Sequence, residues 1–155
     1  MKKKSKRLDL KMKIVIDCNV LISAGLKDGL CREVLKKSFD KGELYLSKEV
    51  ILEYLLVSRR DKFKAHQAYL ERLIEAIVEG AFLINPTPCP FSLPDSHDQK
   101  YIDLAISAEA NFLITDNLKD FPEKTYGKTS VFSPREFLFD RLHFFCCNTI
   151  SFVKH

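Results

Sequence analysis

The run KIVIDCNVLIS, residues 13 to 23, constrains the fold more than any other segment. Ile14, Val15 and Ile16 lead without interruption to Asp17, and apolar residues resume after a short polar break. An apolar run of this kind reads as a strand buried on both faces, as in a parallel sheet. Such a strand would deliver Asp17 to the carboxyl edge, where α/β sheets place ligands and catalytic groups. Solvent at the strand's end is reason enough for one aspartate, so Asp17 alone assigns nothing. What matters is whether the rest of the chain brings it acidic companions.

Strand-like and helix-like segments alternate through the rest of the chain. Leu30, Val34, Leu35 and Phe39 recur at helical spacing, with Asp28 or Gly29 at the start and Gly42 soon after the end. A short LYL strand over 44–46 follows. Ser47 then suits an N-cap, with Glu49 and Val50 in the first turn of a helix running toward Val57. The spacing predicts a further helix over 62–79, stopped by Gly80. An AFLI strand leads into NPTPCPFSLP, where four prolines preclude a continuous element. Helical periodicity returns over 98–110, NFLIT over 111–115 is a strand, SVF adds another, and Ser133 opens a helix with Pro134 in its first turn. No internal repeat is evident. The 155 residues fit one α/β domain with a mainly parallel sheet.

The chain carries 25 Lys plus Arg against 21 Asp plus Glu, a formal charge of +4. That favours an anionic partner mildly and is too small to identify nucleic acid. Much of the excess lies in MKKKSKRLDLKMK, which reads either as a solubilising terminus or as a nucleic-acid-binding arm. Cys18, Cys31, Cys89, Cys146 and Cys147 form no disulfide framework and no secretory leader is evident, so a reducing cytoplasm is expected. No apolar run approaches the roughly 20 residues that cross a bilayer, so no membrane partner is expected. Zinc is a weak alternative: Cys146 and Cys147, with His143 and His155, lack the spacing of a closed site. The apolar stretch over 144–153 could finish the core, cover a sheet edge or form a dimer contact.

The acids sharpen the opening clue. Glu53 sits inside the apolar string VILEYLLV, where burial is costly unless cations or hydrogen bonds compensate. Asp98 opens a helix and has a bland reading as an N-cap. Asp116, Asn117 and Asp120 follow a buried strand and could be an ordinary polar loop. Brought to one sheet edge, these carboxylates would repel one another unless divalent cations neutralised them. Mg²⁺ and Mn²⁺ suit oxygen-rich sites and retain water able to attack phosphorus. A metal-dependent phosphodiesterase is one expectation from spacing; a general phosphatase and an acidic regulatory surface are the others.

Five segments in order, IVIDCNVLISAG, LSKEVILEYLLVSRRDKF, DQKYIDLAI, FLITDNLKDF and SVFSPREFL, make the chain resemble the PIN-domain ribonucleases, particularly the branch described as toxins of toxin–antitoxin systems. The resemblance covers residues 13 to 138. It implies a three-layer α/β/α fold around a central, mainly parallel sheet. It divides the chain into a basic N-terminal segment (1–12), a nuclease domain (13–141) and an apolar C-terminal extension (142–155). Asp17, Glu53 and Asp98 look like the catalytic, metal-holding acids, with Asn19 and Ser23 as polar support from the first motif. Thr115 resembles the small polar residue that ends the fourth principal strand. Asn117 stands where many relatives carry an acid, so Asn117, Asp116 or Asp120 could supply the last ligand. Asp103 looks peripheral.

The resemblance also implies Mg²⁺ or Mn²⁺ as cofactor and RNA as substrate, with cleavage leaving a 5′ phosphate and a 3′ hydroxyl. An antitoxin protein and a homodimer are the implied partners. Lys27, Arg59, Arg60, Lys62 and Lys64 are the candidate RNA contacts, a solvated helix junction being their ordinary alternative. Tyr54, Phe91 and Tyr101 are candidate stacking residues, although aromatics at such spacings are more often structural. The alternative function is a weak or inactive RNA- or protein-binding domain on the same fold.

Overall fold

A computed structural model describes residues 11–139. Most of the basic segment 1–12, and the extension 142–155 with His143, Cys146, Cys147 and His155, lie outside the described residues.

The first strand, β1 (Met12–Ile16), is the centre of the molecule. It pairs in parallel with β2 (Gly42–Leu46) on one side and β4 (Phe112–Ile114) on the other. The registers set Met12 opposite Gly42 and Ile16 opposite Ile114. Ile14 and Val15, alternating across the pleat, are both fully buried, as the continuous apolar run requires. Burying each such side chain contributes on the order of 1.5–3 kcal/mol. The short strand β3 (Phe82–Leu83) extends the sheet beyond β2. On the other flank β4 pairs in parallel with β6 (Thr129–Phe132), and β5 (Thr125–Tyr126) adds the one antiparallel strand among the described residues. The sheet order is β3-β2-β1-β4-β6-β5.

Helix α1 (Cys18–Leu26) follows β1 directly, and α2 (Leu30–Lys41) leads into β2. Next come α3 (Lys48–Ser58), a 3₁₀ turn (Asp61–His66) and α4 (Gln67–Gly80). A second 3₁₀ turn (Ser96–Asp98) opens α5 (Gln99–Ala108), and a third (Leu118–Asp120) follows β4. Ser47 caps α3 by accepting the Val50 N–H at 3.2 Å. Ser133 and Glu136 exchange side-chain-to-backbone hydrogen bonds of 2.9 and 3.1 Å, a capping box that starts a helix at 134. Helix α1 packs closely on α4: a Cβ on Gly25 would come 2.5 Å from Leu70 Cδ2.

Three elements differ from the sequence expectation. The helix over 62–79 becomes the 3₁₀ turn plus α4, because 61–66 bury no side chain and the inward stripe begins only at Leu70, Ile74 and Ile77. AFLI contributes only the exposed edge pair Phe82 and Leu83. The β5–β6 hairpin was not anticipated. Its two-residue turn begins at Gly127, whose φ of +59° is easy for glycine and costly for other residues.

The strand order locates the crevice. From β1 the chain steps outward through β2 to β3, then crosses back to β4 on the opposite side of β1. With right-handed crossovers this reversal puts α1–α4 and α5 on opposite faces, giving three layers. The two halves part between β1 and β4, so their carboxyl ends flank a topological switch point, the place where open α/β sheets bind ligands. Asp17 follows β1 and Thr115 follows β4.

Candidate metal centre

At the end of β1 the Asp17 N–H still reaches the Ile114 carbonyl at 2.9 Å, while its own carbonyl accepts the Val20 and Leu21 N–H groups and starts α1. Asp17 is therefore the last residue of the strand ladder and the N-cap position of the helix, and only 4% of it is exposed. Thr115 Oγ1 donates to Asp17 Oδ2 at 2.7 Å. The Asn117 N–H donates to the same hydroxyl at 3.0 Å, which leaves the threonine proton for Asp17. Burial pushes the Asp17 carboxyl above its usual range and the Glu53 charge adds to this. The Thr115 hydrogen bond opposes the rise, as do the Cys18 and Asn19 N–H groups that face the carboxyl without closing a cap bond.

Glu53 reaches the same edge from the middle of α3, half-buried. Tyr101 donates its hydroxyl proton to Glu53 Oε1 and accepts the Cys18 N–H at 3.2 Å, which links the start of α1 to α3 through α5. Lys100 Nζ donates to Glu53 Oε2 at 2.9 Å and to the His97 carbonyl at 2.6 Å. The buried Cys18 thiol is pushed up to about 12, first by desolvation and then by Glu53 and Asp17, so it stays neutral near pH 7. Tyr54 and Tyr101 are fully buried with both hydroxyls engaged, Tyr54 on the Ile16 carbonyl and Tyr101 on Glu53. They are parts of the scaffold and have no free face for stacking. Phe91, partly buried, meets Tyr126 edge-on.

Asp98 occupies the N-cap position of α5 without making a side-chain cap hydrogen bond, so capping does not consume its carboxylate. Its pKa is raised to about 6, first by desolvation and then by the charges of Asp17, Asp120, Asp95 and Glu53. These acids share one electrostatic field. Asp103, one turn on, accepts the Cys89 N–H at 3.0 Å and Gln99 Nε2 at 3.1 Å. Gln99 also holds the Phe91 carbonyl and the Leu93 N–H, so α5 anchors the proline-rich segment that runs up to Asp98.

The loop after β4 separates its polar residues. Asp120 contributes to the field at Asp98. Asp116 turns toward the Cys31 thiol, 3.8 Å away, at a cleft of about 410 Å³ also lined by Ser23, Lys27, Ser133 and Arg135. Asn117 touches the centre through its backbone, and Asn19 is exposed. Among the basic residues, Arg60 and Lys100 lie near enough to Cys18 for their charge to be felt there. Arg59 is engaged with Glu71 at 2.9 Å, Lys62 stacks over Phe63, and Lys64 is exposed.

The donors brought to the edge are hard oxygens of the kind that Mg²⁺ and Mn²⁺ take. Among the described residues no three His, Cys, Asp or Glu side chains stand close enough to hold an ion between them. Mg²⁺ does not need such a cage, since it commonly binds through one or two carboxylates and keeps several waters. Burial first, and then the neighbouring carboxylates, raise Asp98, and a divalent cation would offset that neighbouring charge; on this donor chemistry the residues fit one.

Lys100 was not singled out in the sequence, and Tyr101 was only as a candidate stacking residue. Their adjacency to Asp98 was visible, but nothing in the string pairs them with Glu53, 47 and 48 positions away.

Residues 13–119 match the family model of the PIN domain, a span that includes Asp17, Glu53, Asp98, Thr115 and Asn117. A search of curated proteins gives no match. The fold is similar to that of VapBC2 from Rickettsia felis bound to a DNA fragment from their promoter, at 17% identity and a TM-score of 0.57, covering 79% of this chain and 98% of that one. It is also similar to FitAB bound to the IR36 DNA fragment, at 16% identity and a TM-score of 0.53, covering 78% and 94%. At such identities the likeness is one of fold. With well over half of its length matched by the family model, the chain belongs to the PIN-domain family, whose members are generally nucleases.

Proposed function

We propose that this protein is a divalent-metal-dependent endoribonuclease acting as the toxin of a toxin–antitoxin pair. The observation that carries this reading is Asp17 at the switch point of a PIN-domain sheet, with Glu53 tied to the start of α1 through Tyr101. Asp17, Glu53 and Asp98, with Asp120 or Asn117, would hold Mg²⁺ or Mn²⁺. The bound ion supplies Lewis acidity that makes a water nucleophilic at neutral pH and offsets charge on the phosphoryl oxygens.

The protein's own groups do the positioning. Thr115 fixes the rotamer of Asp17 by a hydrogen bond whose proton cannot turn elsewhere. Tyr101 ties Glu53 to the start of α1, so the carboxylates of α1 and α3 hold a fixed separation. Arg60, exposed and near the centre, attracts the substrate phosphates, and Lys27 at the adjoining cleft extends that attraction. Hydrolysis proceeds without a covalent enzyme intermediate and leaves a 5′ phosphate and a 3′ hydroxyl.

An antitoxin would cover this acidic edge. The similarity to VapBC2 and FitAB, both solved with DNA, supports an assembly of that type. The homodimer contact falls on α3, where Val50, Tyr54 and Val57 face the core while Leu52 and Leu56, one turn apart, are 56% and 59% exposed. Purified protein incubated with single-stranded RNA should cleave it in Mg²⁺ or Mn²⁺ and not in EDTA. Equal cleavage by the Asp17→Asn variant would exclude the assigned centre.

A further inference from the structure

Among the described residues, Lys100 is the one cation that pairs directly with an acid of this centre. Its ammonium lies 2.9 Å from Glu53 Oε2, with side-chain exposures of 16% for Lys100 and 27% for Glu53. The His97 carbonyl, 2.6 Å away, holds it from a second direction, and its charge lies 5.6 Å from the centre of the Tyr101 ring. Because Tyr101 occupies the other oxygen of Glu53, both oxygens already have donors. Asp17 is held differently, by the neutral hydroxyl of Thr115. A divalent cation approaching Asp17 meets a negative carboxylate held by dipoles, whereas at Glu53 it meets an ion pair.

We infer that Lys100 is a resident counter-ion that competes with the divalent cation for Glu53 and thereby sets how readily the centre loads. This rests on the metal-dependent reading above. Coordination by Glu53 would bring the ion to a carboxylate whose charge the ammonium already offsets, and two cations on one half-buried carboxylate repel each other. The His97 carbonyl keeps the displaced ammonium at the mouth of the site, so the competition is local and persistent. Like charges about 4 Å apart near a protein surface repel strongly enough to change affinity by about tenfold or more.

The test is a calorimetric titration of Mn²⁺ into the metal-stripped full chain. Lys100→Met should bind Mn²⁺ about tenfold or more tightly than the parent. Lys100→Gln, which keeps a hydrogen-bond donor for Glu53 and removes only the charge, should show the same gain if Met disturbs folding. In a Glu53→Gln background the gain from either change should vanish. Unchanged or weaker binding by a folded Lys100 variant, with the parent binding normally, overturns the role of Lys100 and leaves the metal centre standing. Absence of binding in the parent and in every variant overturns both.

Discussion

Asp17 and Glu53 bring the same functional group to one sheet edge and are held in opposite ways. Asp17, at the end of a central strand, is clasped by a hydroxyl and by backbone ends that belong to the sheet itself. Glu53, in mid-helix, is clasped by a phenol and an ammonium carried on a different element. A neutral clasp fixes direction and leaves the charge in place, whereas a cationic clasp fixes direction and cancels it. The centre therefore has a pole without a cationic partner at β1 and a compensated pole at α3. If the centre takes a metal as proposed, its readiness should depend on the second more than on the first.

The largest expected effect breaks the negative pole. Asp17→Asn should reduce RNA cleavage by about 10³-fold, some 4 kcal/mol of barrier, while circular dichroism reports an intact fold. Tyr101→Phe acts on both poles, because it frees Glu53 and leaves the buried Cys18 N–H without its acceptor; it should cost about 2 kcal/mol in urea unfolding. Thr115→Val removes the neutral clasp together with the acceptor of the Asn117 N–H and should cost about 1–2 kcal/mol in the same measurement.

The smallest effect has the opposite sign. Asp98→Asn relieves the cost of burying a charge and the repulsion from its neighbours, and should raise the urea midpoint of the metal-free protein slightly. It should also flatten a pH dependence. Asp98 keeps its proton to about pH 6 when folded, against an ordinary 3.8, so the folded chain binds more protons between these values. Unfolding free energy in the metal-free parent should therefore decline as pH rises from about 4 to 6, and Asp17, also raised, acts in the same direction. A midpoint that climbs over this window would show that the acids are not mutually repelling.

What was legible in the sequence follows a physical division. Ile14 to Ile16 and Phe112 to Ile114 could be read because strands buried on both faces must be continuously apolar, and the residue after each then falls at the edge. The register of α3 was less legible: VILEYLLV is apolar nearly all round, so nothing in it told that Tyr54 turns inward and Leu56 outward. The Lys100–Glu53 pair was invisible, since a lysine in the first turn of one helix carries no mark of a carboxylate on another. The proline-rich segment was rightly expected to be irregular, but its tethers to Gln99 and Asp103 are tertiary contacts that composition does not encode.

The hydrogen bond between Asp17 and Thr115 spans 98 positions, and that separation has a consequence in time. A ribosome that has extruded the chain only through Asp98 has released all three principal acids. It has not yet released β4, which lies between β1 and β6, nor the hydroxyl that orients Asp17. Contacts so distant along the chain form late, because the loop between them must close first. Synthesis thus withholds the finished centre until β4 and Thr115 have followed, and a chain interrupted before them carries the acids without the strand that aligns them.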